Sequence, residues 1–318
     1  MTFDTLLIPT DGSDPAEAAA RRGFDLAEQF GADVHVLSVA DSSIATGTGY
    51  SGDSASIRSR LRRKADARSR SLTERASDRG LDATAAVREG IPAKEIVSYA
   101  NDQGVDAIVI GTTGRSGLTR AIVGSVADKV VRTATVPVVT ITPDAAKEPP
   151  TEPTVESILC PTDGSELTAT ATHHSLTAAD QLEATVHFLS VVDSDLEERL
   201  GTLIDDDTNL SSDLHEQAET YLESLATRGR DSDLEVVTAT RDGDPAEEII
   251  EYVNAEGINL IAMGTAGRGG FERALVGSVT DRIIRTASVP VLTVRPDEPD
   301  DDGACHRKLR TVCLSDSC

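Results

Sequence analysis

The stretch REGIPAKEIVSYANDQGVDAIVIGTTG, residues 88–114, carries in succession the end of a strand, a helix, an apolar strand and a glycine loop. Its spacing predicts a helix over Pro92–Asn101 that stops near Gly104, then a strand over Val105–Ile110. That strand has no polar alternation, so both of its faces are buried, as in a parallel sheet covered by helices on each side. The stretch returns as RDGDPAEEIIEYVNAEGINLIAMGTAG at 241–267, an offset of 241 − 88 = 153 positions.

Outward from this unit the repetition continues. IPTDGS (8–13) returns as CPTDGS (160–165), and VHVLSVAD (34–41) as VHFLSVVD (186–193). VGSVADKVVRTATVPVVTI (123–141) returns as VGSVTDRIIRTASVPVLTV (276–294). The offset is 152 at the start, so one residue was gained inside the repeat (160 − 8 = 152). A period this long marks a duplicated domain rather than a solenoid, and 318 residues hold two domains of ordinary size. We place the first domain at 1–142, a Pro-rich polar linker at 143–153, the second domain at 154–296 and an acidic, Cys-containing flexible tail at 297–318.

Within the first copy, strands are expected at 5–9, 34–39, 82–87, 105–110 and 137–141. Helices are expected at 13–29, with Ser13 or Asp14 as cap and Pro15 in the first turn, and at 57–77, 92–101 and 125–133. Strands alternating with helices make an α/β fold: an open parallel sheet with helices on both faces.

Composition narrows the partners. The net charge is −24, which repels nucleic acid and anionic lipid, so neither is an expected partner. Arg dominates the basic residues, and Lys occurs only at Lys64, Lys94, Lys129, Lys147 and Lys308. High acidity with little Lys suggests a salt-rich cytoplasm, where repulsion is screened. No run approaches the length of a membrane helix and no signal peptide is evident, so the chain is read as cytoplasmic. Cys160 reads as a small core residue.

Two strand ends carry turn chemistry in place of packing residues: Pro9–Gly12 after the first strand and Gly111–Gly117 after the fourth. In open parallel sheets ligands sit beyond the C-terminal strand ends, where the strand order reverses. The glycines let the backbone take positive φ and bring N–H groups close to a ligand. Gly124-Ser125 opens the next helix, whose N-terminus suits phosphate oxygens. Arg115 adds positive charge. Asp11 suits a base amine, a ribose hydroxyl or a bridging metal. The parts describe a nucleotide with its base near Asp11 and Val39 and its phosphates over Gly114–Ser125.

These residues are similar to those of the universal stress protein family, over about 1–142 and 154–296. Its pattern G-x2-G-x9-G-[S/T] is met by Gly111, Gly114, Gly124 and Ser125, and by Gly264, Gly267, Gly277 and Ser278. The resemblance implies ATP or another adenine nucleotide, with Mg2+, in each copy. By position it brings Pro9, Thr10, Asp11, Val39, Gly111, Gly114, Arg115, Gly117, Gly124, Ser125 and Val126 to the first site. Pro161, Thr162, Asp163, Val191, Gly264, Gly267, Arg268, Gly270, Gly277, Ser278 and Val279 come to the second. It also implies five parallel strands per copy in the order 3-2-1-4-5, and pairing of the copies through VPVVTIT (136–142) and VPVLTVR (289–295). A homodimer stays open.

Other signals point to less. GTGYSG (47–52) matches a dinucleotide fingerprint, yet it lies beyond the strand and has no counterpart in the second copy; a lid fits better. His173 and His174 are adjacent and do not face one way on a helix. No P-loop or nucleophile elbow occurs. Asp205, Asp206 and Asp207 near the second cleft would repel a triphosphate unless cations intervene. Cys305, His306, Cys313 and Cys318 fit no compact zinc spacing. The expected function is nucleotide-dependent conformation. The alternatives are a ligand-free interaction module and a slow ATPase or self-phosphorylating protein.

Overall fold

The structure, a computed structural model, describes residues 2–41, 54–113, 123–147, 155–165, 168–193, 210–265 and 276–295. In the first repeat the elements are β1 (Thr5–Pro9), α1 (Asp14–Phe30), β2 (Asp33–Asp41), α2 (Ser54–Asp78), β3 (Ala83–Gly90), α3 (Pro92–Gln103), β4 (Ala107–Gly111), α4 (Ser125–Thr133) and β5 (Val138–Ile141). In the second they are β6 (Ser157–Pro161), α5 (Ala169–Leu182), β7 (Thr185–Val192), α6 (Leu210–Arg230), β8 (Val236–Asp242), α7 (Pro245–Ala255), β9 (Leu260–Gly264), α8 (Ser278–Thr286) and β10 (Val291–Val294).

Local chemistry sets the helix ends. Ser13, in extended conformation, accepts from the Ala16 N–H and caps α1, and Pro15 sits in the first turn where no N–H is required. Gly31 closes the helix at φ 66°, a left-handed conformation natural to glycine.

The strands form one sheet in the order β3-β2-β1-β4-β5-β10-β9-β6-β7-β8. Each repeat therefore has the order 3-2-1-4-5 with parallel neighbours, and its direction of winding reverses between β1 and β4. β5 and β10 meet antiparallel, with Val138 opposite Thr293 and Thr140 opposite Val291. At that seam Thr140 and Thr293 hydroxyls donate to the Val291 and Val138 carbonyls. Side chains alternate between the faces. Leu6 and Ile8 join Phe24, Leu72, Phe188 and Leu225 on the face of α1, α2, α5 and α6, while Leu7 joins Ile96, Val130, Ile249 and Ile283 on the opposite face.

The segment expected as linker begins as folded structure. The Thr142 hydroxyl accepts from the Ala145 N–H at 3.0 Å and donates to the Ala287 carbonyl at 2.7 Å, and Ala145 is buried. A threonine placed to cap a turn and reach the other repeat overrides the polar composition.

Cys160 lies in β6, fully buried, and burial pushes its thiol up to about 11. Thiolate is the reactive form, so Cys160 should resist alkylation in the native protein and react only after unfolding. Peptide mapping by mass spectrometry after iodoacetamide treatment near neutral pH checks this; labelling of native Cys160 contradicts it.

His35 and His187 pack rather than ligate. His35 Nδ1 lies 3.1 Å from the Tyr99 hydroxyl, and His187 Nδ1 lies 2.9 Å from that of Tyr252. Burial holds His187 below the usual histidine range, against the opposing pull of Glu256 and Glu235. The folded chain thus favours neutral His187, whereas the unfolded chain takes up a proton near pH ~6.5. Stability from this group is complete above that pH and is lost as the pH falls below it. His187→Leu should flatten the decline of the urea midpoint between about pH 7 and pH 5. An unchanged slope contradicts the assignment.

Candidate functional site

The first cleft is bordered by the turn after β1. The Thr10 N–H donates to the Leu37 carbonyl at 2.8 Å, and the Ser38 hydroxyl donates to the Thr10 carbonyl at 3.0 Å, so the turn is tied to β2. Gly12 has φ 71°, which favours glycine, and donates its N–H to Thr10 Oγ1. Asp11 Oδ1 accepts from the Ser13 N–H at 3.0 Å and from the Ser13 hydroxyl at 2.6 Å, so its carboxylate is held in one orientation. The second repeat reproduces the turn. Thr162 N–H donates to Leu189 O, Gly164 has φ 74°, and Asp163 Oδ1 accepts from the Ser165 N–H at 2.9 Å. It differs in its helix start: α5 begins at Ala169, and the Thr168 hydroxyl lies 3.0 Å from that of Thr162.

The end of β4 forms the other wall. A Cβ on Gly111 would stand 3.1 Å from the Ala19 Cβ and 3.4 Å from the Pro15 carbonyl oxygen. Glycine here lets β4 close against the start of α1, bringing the two strand ends together. The chain leaves at Thr112 and Thr113 and returns at Val123. On return the Gly124 N–H donates to the Thr112 carbonyl at 2.6 Å; in the second repeat Gly277 N–H donates to Thr265 O at 2.8 Å. Thr112 and Thr265 are themselves tied to the last strands, through the Ile141 and Val294 carbonyls.

Gly124 has φ −62°, ψ 145° and Gly277 φ −59°, ψ 150°. Any residue could adopt these angles, so positive φ is not what selects glycine here. What their glycines supply is a bare helix start. No side chain caps α4 or α8, and Ser125 and Ser278 are exposed at their first positions. The first-turn N–H groups and the positive end of each helix dipole therefore face the cleft side of the sheet. Val39 and Val126 are half-buried against one apolar cluster, as are Val191 and Val279. Pro9, Pro161 and Gly264 end strands that lead into these turns.

Gly114, Arg115, Gly117, Gly267, Arg268 and Gly270 lie outside the described residues, as do GTGYSG (47–52), Asp205–Asp207 and the tail. Thr112 and Thr265 escaped the motif reading, although the shared Gly-Thr at 111–112 and 264–265 signalled them. Because β5 and β10 run antiparallel, the C-terminal strand ends of the two repeats lie at opposite edges of the sheet, and so do the two clefts. Among the described residues, no His, Cys, Asp or Glu group is placed to hold a metal ion, and no helix is long and apolar enough to cross a membrane.

These features define a class: a doubled, Rossmann-like α/β protein with a cleft at the switch point of each half. The universal stress protein family model matches residues 2–142 and 154–295, and the chain belongs to that family. A universal stress protein of Methanocaldococcus jannaschii is 34% identical over 139 residues, covering 44% of this chain and 82% of the relative. One from Mycobacterium tuberculosis is 29% identical over 224 residues, covering 69% of this chain and 71% of its own. The crystal structure of a universal stress protein from Archaeoglobus fulgidus superposes with a TM-score of 0.70 at 19% identity, over 93% of this chain and 99% of that one. That likeness extends to the doubled fold.

Proposed function

We propose that each repeat, 1–142 and 154–296, binds one adenine nucleotide, ATP with Mg2+, and that nucleotide occupancy sets the conformation a partner reads during stress. The carrying observation is the uncapped helix start at Gly124-Ser125, tied to Thr112 at 2.6 Å beside the oriented Asp11 turn, with the same arrangement at Gly277-Ser278. Bare helix N-termini favour phosphate, and the half-buried Val39 and Val126 offer an apolar wall to a base. Arg115, Gly114 and Gly117, with Arg268, Gly267 and Gly270 in the second copy, complete the phosphate loop by their place in the motif. Asp11 is one carboxylate already engaged by Ser13. It fits a magnesium ion held chiefly by phosphate oxygens and water, which is how that ion usually binds. The β5–β10 seam supports pairing of the repeats within one chain, which covers two strand edges. The protein acts in the cytoplasm.

Equilibrium dialysis of the full chain against labelled ATP and Mg2+ in molar salt tests the reading. The expected result is two nucleotides per chain, recovered as ATP. Steady conversion to ADP over many turnovers would move the assignment to an ATPase. Retention of no label would remove the nucleotide reading.

A further inference from the structure

The floors of the two clefts are alike, but their roofs are not. Arg62 pairs with Glu89 at the end of β3 at 3.4 Å, and His215 Nε2 lies 2.9 Å from Asp242 at the end of β8. Both pairs are related by 153 positions (215 − 62 and 242 − 89), as are the buried Leu72 and Leu225. The register between α2 and α6 is therefore fixed by structure. In that register Arg58, Arg60, Arg62, Arg63, Lys64 and Arg68 of α2 stand where α6 has Ser211, Asp213, His215, Glu216, Gln217 and Tyr221. At these six positions α2 carries six cations, whereas α6 carries two carboxylates and no Arg or Lys.

Arg68 is the member that reaches the cleft floor. A Cβ on Gly12 would stand 2.7 Å from Arg68 Nε, so the guanidinium stem lies directly over the Pro9–Ser13 turn. Arg62 is level with the end of β3, so Arg58 and Arg60, which precede it on the helix, lie on the cleft side of that strand end. At the equivalent of Arg68 the second repeat presents Tyr221, half-buried against the apolar core.

We infer that the two clefts bind ATP with different strength, the first more tightly, with Arg68 as the discriminating residue. The inference rests on the nucleotide reading of both clefts. Attraction to the remote cations of α2 fades in molar salt, where the Debye length is about 3 Å. Arg68, in contact with the turn, is screened least. Its effect should therefore persist at high salt while that of Arg58 and Arg60 does not. A triphosphate carries more charge than a monophosphate, so a nearby guanidinium favours it selectively.

Calorimetric titration of the full chain with ATP and with AMP, each at two salt concentrations, tests this. In the wild type ATP should resolve into two classes of site differing about tenfold or more, and AMP, with less charge, should separate the two classes less than ATP does. Arg68→Tyr should bring the tight ATP class to the weak one while leaving AMP binding within about twofold. Tyr221→Arg, which leaves the first repeat untouched, should tighten ATP at the second class, and this keeps the test decisive if Arg68→Tyr fails to fold. Two equal ATP classes in the wild type, insensitive to both substitutions, would overturn the inference and leave the nucleotide reading standing. No binding of either nucleotide would overturn both.

Discussion

Phe188→Ala is expected to destabilise the second repeat by about 3–5 kcal/mol, the usual cost of emptying a fully buried phenylalanine site. Phe188 lies in the middle of β7 at 0% exposure and belongs to the cluster beneath α5 and α6, with Leu222, Leu225 and Ala178. The chain has few aromatics, 3% of its residues, so its cores are built from small aliphatic side chains with little spare volume to flow into a void. The loss falls on transfer and packing together. Urea unfolding in molar salt checks it through the midpoint and slope. A change below about 1 kcal/mol would mean that the core relaxes freely and that the assigned packing is wrong.

Gly124→Val is expected to halve bound nucleotide, from two per chain to one, and Gly124→Val with Gly277→Val to abolish it. Valine is compatible with φ −62°, ψ 145°, so the backbone tolerates the change. Its cost to helix capping is about 1 kcal/mol. The branched side chain, however, stands at the helix start where phosphate oxygens must approach the N–H groups. Hydrogen bonds to charged groups contribute ~1.5–3 kcal/mol each, so blocking even one weakens binding roughly tenfold or more. Unfolding curves near wild type, with unchanged nucleotide content, would show that the phosphates do not sit on this helix.

Much of the fold was legible because its signals are local. The α4 span Ser125–Thr133 was placed to the residue, between Gly124 and the strand that Pro137 precedes. The α3 start at Pro92 was placed likewise, and its end at Gln103 lay two residues past the expected Asn101, with Gly104 as the left-handed stop. The strand order 3-2-1-4-5 came by resemblance, since no composition distinguishes it from other windings of the same elements. The less legible parts depend on distant contacts. Arg68 lies 56 residues after Gly12 (68 − 12), in a helix where arginine is ordinary, and its place over the turn depends on how the buried face of that helix, Ala65, Ser69, Leu72 and Ala76, packs on the sheet. Motif spacing does not carry φ either: Gly124, read as a helix opening, lies at φ −62° and leaves space rather than bending the chain. The residues just after Thr142 read as a polar linker because what anchors them, the Thr142 hydroxyl bonded to the Ala287 carbonyl, reaches into the other repeat.

A crystal structure of the full chain with a non-hydrolysable ATP analogue and Mg2+ would test the central claim most directly. The account predicts one nucleotide in each cleft, with phosphate oxygens within hydrogen-bond distance of the first-turn N–H groups at Ser125 and Ser278 and the base beside Val39 and Val191. Saturating analogue with both helix starts bare, or nucleotide bound elsewhere on the sheet, would contradict it.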